Sequence, residues 1–354
     1  MEVKIKVAFL DNDVDYLESI MSVFNAKYAD RMEVYSFTDG EVALQTVLNE
    51  DIDVFVTSYK VAADVKELSA YCNVAYFVES KDIDRFNNLP AINKYQKVEL
   101  IYKEILKVFS EGKGDVSLTG ERMCKVTCFA SPCGGTGSSV MSVVMARQYA
   151  KKGKKVLYLN LEVFGTADAY FNGAGSYDMS DIVFALKSKK GNLGVKVESY
   201  VKQDSSGVFF LSGVKLVPDI LEIDDNELVR FIDEVRLLGI YDYIIIDMDL
   251  DRRLFVLMEH INNIVLVTDG TDISDTKTKR FLDTLCVMEK NGDIKIKDKL
   301  SVVYNKMNID IRGLKEPGEY RILGIAPRVD STSIKQVVND IARTGIFGDM
   351  RNMG

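Results

Sequence analysis

The stretch Ser131-Pro-Cys-Gly-Gly-Thr-Gly-Ser-Ser139 sets three glycines ahead of two consecutive hydroxyls. Glycines at Gly134, Gly135 and Gly137 would expose backbone N–H groups, and a helix starting at Ser138 would aim its positive end at the same point. That combination binds phosphate. Cys133, Gly134, Gly135, Thr136, Gly137, Ser138 and Ser139 are therefore the candidate anion-binding residues. The general pattern G-x-x-x-x-G-K-[S/T] is not satisfied, because its lysine position is Ser138. Ser139 keeps the hydroxyl that would ligate Mg²⁺. A purely structural turn is the competing reading of a bare glycine loop.

Two carboxylates downstream complete the chemistry. Lys155-Lys-Val-Leu-Tyr-Leu-Asn-Leu-Glu162 reads as a strand ending in Asn160 and Glu162. Glu162 could orient a Mg²⁺-bound or attacking water, and an ordinary strand end is the alternative. Tyr241-Asp-Tyr-Ile-Ile-Ile-Asp247 is a short apolar run closed by a carboxylate, as expected of a buried parallel strand delivering an acid to Mg²⁺. Glu162 and Asp247 are the catalytic candidates, and Ser139 with Asp247 the candidate metal ligands.

The elements that must position these groups are legible as an α/β alternation. Lys125–Ala130 reads as the strand entering the loop and Ser138–Lys152 as the helix leaving it. Val208–Gly213, Asn263–Asp269, Leu300–Lys306 and Ile325–Asp330 supply further strand-like runs.

The loop aligns residue for residue with K-G-G-x-G-K-[S/T], the deviant phosphate loop of the ParA/MinD ATPases. With Asp247 at the Walker B position, residues 123–354 resemble a P-loop NTPase of ParA/MinD (SIMIBI) type. The resemblance implies that Asn305-Lys306 and Pro327 frame the adenine of ATP, with Mg²⁺ on Ser139 and Asp247. It also implies a homodimer, in which the lysine missing at Cys133 would reach the partner's nucleotide. The chain departs from the family at Cys133, at Ser138, at Asn160 and in Asp247-Met-Asp-Leu-Asp251.

The first 110 residues alternate strands Lys4–Asp11, Met32–Ser36, Asp53–Thr57 and Asn73–Val78 with helices Asp15–Tyr28, Gly40–Leu48 and Val98–Ser110. This predicts a flavodoxin-like (CheY-like) doubly wound domain over residues 1–112 with five parallel strands. It resembles a response-regulator receiver, with Asp11 and Asp13 after the first strand and Lys97 after the fifth. Ser58 stands at the phosphoacceptor place and cannot form an acyl phosphate, so a pseudo-receiver is expected, with Asp11 and Asp13 in a solvated loop and a metal site as the alternative. Residues 113–122 are the expected linker.

Composition narrows the function classes. The net charge is −8, and residues 1–110 hold 19 acidic against 12 basic residues, a poor balance for non-specific nucleic-acid binding. Five cysteines without a C-x-x-C pair and a single histidine, His260, argue against a zinc cluster or Ser/Cys–His catalysis. The opening Met1–Lys6 runs straight into a strand, and no stretch approaches the roughly 18 apolar residues of a membrane span. A cytoplasmic address without direct membrane insertion is expected.

A pseudo-receiver joined to a ParA/MinD-like domain with a degraded loop resembles the TadZ/CpaE proteins. That resemblance implies an ATP-binding scaffold for the Tad (Flp) pilus machinery, held at a cell pole through partners, with little or no hydrolysis. An active MinD/ParA-like positioning ATPase, a signalling response regulator, and a metabolic or DNA-partitioning P-loop protein are the other readings.

Overall fold

The computed structural model describes residues 4–61, 63–80, 82–111, 124–188, 192–291, 296–307 and 321–348. The linker expected at 113–122 lies outside them. The chain divides into two compact units, and the division is not a single cut. Unit 1 comprises residues 1–120 with Ser188–Tyr200, and unit 2 comprises 121–187 with 201–354.

In chain order the first 111 residues form β1 (Ile5–Leu10), α1 (Val14–Lys27), β2 (Met32–Phe37), α2 (Gly40–Asn49), β3 (Val54–Ser58), α3 (Val65–Tyr71), β4 (Asn73–Val78), β5 (Arg85–Phe86), β6 (Leu89–Asn93) and α4 (Val98–Glu111). Asp13, Asp39 and Asp64 start the first three helices by accepting N–H groups of the opening turn. Asparagines with positive φ at Asn87 and Asn88 make the tight turn joining β5 to β6. The sheet order is β2-β1-β3-β4-β6-β5, with five parallel strands and antiparallel β5 at the edge. The fold is the expected receiver-like one; α3 and the β5–β6 hairpin were not read from the sequence.

The remaining elements are β7 (Lys125–Ala130), α5 (Ser138–Lys151), β8 (Val156–Asn160), α6 (Ala167–Tyr170), α7 (Met179–Ser188), α8 (Leu193–Tyr200), β9 (Lys202–Gln203), β10 (Phe209–Phe210), α9 (Val217–Leu221), α10 (Asp225–Leu237), β11 (Tyr243–Asp247), α11 (Arg252–Leu257), β12 (Asn263–Thr268), α12 (Asp272–Lys290), β13 (Leu300–Met307), β14 (Arg321–Pro327) and α13 (Ile334–Arg343). Except for α8, which belongs to unit 1, they build an eight-stranded sheet of order β14-β13-β12-β7-β11-β8-β10-β9 in which only β9 pairs antiparallel. Helix α5 is buried along most of its length, so its apolar residues are not confined to one stripe. The amphipathic α13 sets Val338 and Ile341 into the same core, and the α5 side chain of Gln148 donates to the Ala342 carbonyl at 2.8 Å.

Helix α8 is the departure from the two contiguous domains that the sequence suggests. Val195 lies in the apolar cluster of Phe24, Ile105 and Phe109. Glu198 pairs with Arg31 at 2.5 Å and accepts from the Tyr102 hydroxyl at 2.5 Å. These partners lie 167 and 96 residues away in the chain, beyond the range of local pattern reading.

Candidate functional site

The register of the second sheet determines which side chains meet. Asp247 at the end of β11 stands opposite Asn160 on β8 and Phe129 on β7, so the carboxyl ends of these three parallel strands open together. The glycine loop leaves β7 at that edge. Gly135 and Gly137 adopt φ of +82° and +91°, which other residues rarely do. At Gly137 a Cβ would also stand 2.3 Å from Asn305 Nδ2, so the close approach of two chain segments requires glycine there. Ser131 ties the loop down: its hydroxyl lies 2.7 Å from the Val267 carbonyl and accepts from Thr136 Oγ1 at 2.8 Å.

Asn305 and Lys306 brace the loop from β13. Asn305 Nδ2 donates to the Thr136 carbonyl at 2.8 Å and Lys306 Nζ to the Gly135 carbonyl at 2.5 Å, with Lys306 at φ +58°. Asn305 is buried, and its Oδ1 has no hydrogen-bond partner. Pro327 ends β14 opposite Met307, at the same end of the sheet as Lys306. Among the cations that could replace the missing lysines, Arg252 pairs with Asp225 and Arg328 with Asp330, which leaves Lys306 as the one of these three that touches the loop. Cys133 is partly exposed at the turn, and its carbonyl lies 2.8 Å from Ser131 Oγ.

Ser139, Glu162 and Asp247 converge. Ser139 Oγ donates to Glu162 Oε1 at 3.2 Å. The Asn160 amide bridges the two acids, donating to Glu162 Oε2 at 3.1 Å and Asp247 Oδ2 at 3.3 Å. Tyr158, fully buried, donates its hydroxyl to Asp247 Oδ2 at 2.9 Å. Asp247 has no exposure, and burial first, then the neighbouring Glu162 charge, push its carboxyl up to about 8. Its Oδ1 has no hydrogen-bond partner.

An orphaned, fully buried carboxylate oxygen beside a serine hydroxyl and a second carboxylate suits a hard divalent cation such as Mg²⁺. The orphaned Asn305 Oδ1 likewise suits a donor from a ligand laid along the loop. Ser138 Oγ, at the lysine position, is a third buried polar atom without a partner. The residues present thus fit a Mg²⁺-nucleotide. Sequence reasoning missed Tyr158, although residues 158, 160 and 162 alternate toward one side of a strand and could have been grouped. It also missed Arg253, whose guanidinium reaches the Leu161 carbonyl at 2.9 Å.

The acidic place in the first unit is built differently. Lys94, directly after β6, is buried and lies 2.9 Å from Asp11 Oδ2 and 3.2 Å from Asp13 Oδ2, over the Tyr16 ring at 4.4 Å. Burial opposes its charge, and the two carboxylates outweigh burial and hold its pKa above the ordinary lysine value. Lys94, not Lys97, therefore occupies the place after the fifth strand. Asp11 is 1% exposed, so the expected solvated loop is a buried ion pair there. Ser58 is buried, with Oγ accepting the Lys60 N–H at 3.3 Å.

Residues 3–110 match the family model described as TadZ-like, receiver domain. The crystal structure of a ParA family ATPase from Chlorobium tepidum superposes with a TM-score of 0.51 at 19% identity, over 63% of this chain and 97% of that one. An uncharacterized ATP-binding protein of Methanocaldococcus jannaschii is 30% identical over 124 residues, which is 35% of this chain and 43% of that protein's length. An iron-sulfur cluster carrier protein of Rickettsia felis is 22% identical over 300 residues, 82% of this chain and 81% of that protein. Residues 3–110 are thus similar to the TadZ-like receiver domain, carried in one chain with a second domain that has the fold of the ParA family ATPase.

Proposed function

We propose that the chain is an ATP-binding localisation or scaffold protein. It dimerises through its second domain, hydrolyses ATP slowly or not at all, and serves assembly of the Tad (Flp) pilus machinery, held at a cell pole on the inner face of the membrane by protein partners. The observation that carries this reading is the buried, unpartnered Oδ1 of Asp247 beside Ser139, at the mouth of a loop whose lysine positions hold Cys133 and Ser138.

The backbone N–H groups of Gly134–Ser139 would cradle the phosphates, Ser139 and Asp247 would hold Mg²⁺, and Asn305 Oδ1 would accept from the adenine edge near Pro327. Bound Mg²⁺ supplies charge neutralisation on the phosphates. Phosphoryl transfer also needs fixed positive charge where negative charge builds up, and loss of one such contributor commonly costs ~10²–10³ in rate. Lys306 is committed to the Gly135 carbonyl, which supports slow turnover. The TadZ-like match of residues 3–110 supports the pilus role.

Calorimetry with Mg²⁺-ATP and phosphate release on the same sample test the reading, with Ser139→Ala as control. Binding in the micromolar range without turnover is expected, lost in the control. Turnover that disappears in Asp247→Ala would replace the scaffold with a cycling ATPase, and absence of binding would overturn both.

A further inference from the structure

Two loops flank the Ser139–Asp247 pair: residues 161–165 after β8 and 248–251 after β11. They are fastened to each other. The Val163 N–H donates to Asp249 Oδ2 at 2.8 Å and the Leu161 N–H to the Asp247 carbonyl at 2.7 Å. Arg253, at the start of α11, spans the gap. It donates through Nη1 to the Leu161 carbonyl at 2.9 Å and through Nη2 and Nε to Asp251 Oδ2 at 2.7 and 2.9 Å, and lies 3.5 Å from Asp249 Oδ2. Its side chain is 13% exposed, so water competes little for these bonds.

The Asp251 contact is local, since Asp251 also caps α11 by accepting the Arg253 N–H. The Arg253 contact to Leu161 and the Asp249 contact to Val163 are not. They hold both chain neighbours of Glu162, Leu161 and Val163, to the β11 loop, and so hold the Glu162 carboxylate against Ser139. Charge-assisted hydrogen bonds are about twice as strong as neutral ones, and a planar guanidinium gives up little freedom in making several at once. A ligand can shift a conformational equilibrium only by its differential affinity for two states. Loops joined in this way by the protein's own groups need no ligand contact to close them.

We propose that Arg253 is a positioning residue that keeps the Glu162 loop closed on the β11 loop whether or not a phosphate-bearing ligand is present, so that this site does not distinguish ATP from ADP by loop closure. The proposal deepens the nucleotide reading and, for its ligand arm, rests on it.

Hydrogen exchange of the full chain at residues 161–165 and 249–254 tests it, in the free protein, with Mg²⁺-ADP and with Mg²⁺-ATPγS. Both loops are expected to be protected in the free protein and to change less than about twofold between the nucleotides. Arg253→Ala should speed exchange at 161–165 at least about tenfold and create a difference between ADP and ATPγS, which loss of stability alone would not do. Asp249→Ala, which spares the Asp251 cap, should loosen 161–165 and leave 251–254 unchanged. Unprotected loops in the free wild type, or tenfold protection conferred by ATPγS and not by ADP, would overturn the proposal. If calorimetry detects neither nucleotide, the nucleotide reading fails by itself, and the free-protein exchange of wild type against Arg253→Ala decides the positioning role.

Discussion

The two domains each gather acidic residues at the carboxyl end of a parallel sheet and treat them in opposite ways. In the receiver-like domain Lys94 enters the cluster and pairs with both Asp11 and Asp13 from within. In the ParA-type domain Asp247 meets uncharged donors, among them the Tyr158 hydroxyl and the Asn160 amide, and burial still holds its pKa raised. A cluster with its own cation is finished by folding. One left with polar neighbours and a raised pKa is open to a ligand.

The sharpest way to break this comparison is to exchange the conditions of the two sites. Lys94→Ala leaves Asp11 buried without its cation, and removing one member of a buried pair typically costs about 3–5 kcal/mol. Loss of exchange protection in β1 and β3 of the full chain would report it domain by domain. Asp247→Asn should do the reverse: it puts a neutral amide of the same shape in place of a carboxyl whose charged form burial already disfavours, so the free protein should hold its stability to within ~1 kcal/mol. Mg²⁺-nucleotide affinity should fall at least ~10-fold, a scale that even outer-shell changes produce at metal sites. Equal destabilisation by the two substitutions would erase the distinction.

A smaller effect sharpens the ligand side. Gly137→Ala places a Cβ 2.3 Å from Asn305 Nδ2 at a residue with φ +91°. The cost in stability should be ~1–3 kcal/mol, typical of backbone strain, and the displaced Asn305 should weaken nucleotide binding with it. Gly134→Ala is the control, since nothing lies within 4 Å of its added Cβ. Calorimetric titration of the two variants with Mg²⁺-ATP separates them.

Legibility followed the range of the interactions. The glycine loop, Ser139, Glu162 and Asp247 could be read because motif spacing and strand ends are local properties. The α/β class of both domains followed from the alternation of strand-like and helix-like runs. Lys94 was missed in favour of Lys97 because β6, Leu89-Pro-Ala-Ile-Asn93, carries a proline and lies behind the Asn87-Asn88 turn, so the fifth strand went unassigned. Helix α8 has no local sign of its place, since Val195 and Glu198 are specified by partners on α1, its following turn and α4. Arg253 and Asp249 carry no local sign of their place either, since their partners Leu161 and Val163 lie 92 and 86 residues away in the chain.

A third carboxyl lies between the two extremes. Glu104 on α4 is largely removed from water and accepts from the Gln96 amide at 2.9 Å. Burial dominates and pushes its pKa up to about 7, with the Gln96 hydrogen bond and Lys107 opposing and Asp84 reinforcing. Because the folded protein holds this proton and the unfolded chain releases it near the ordinary 4.5, folding binds a proton between those values. The contribution to stability is thus complete below about 4.5, falls as pH rises toward 7 and levels off above. The loss should be on the order of 1–2 kcal/mol across that window, less than the shift alone would give because the group keeps some water contact. Chemical denaturation from pH 4.5 to 8 should show the decline in wild type and a shallower one in Glu104→Gln, which is neutral throughout. A decline of the same depth in both would assign the pH dependence to other groups and leave Asp11 and Asp247 as the only contrast.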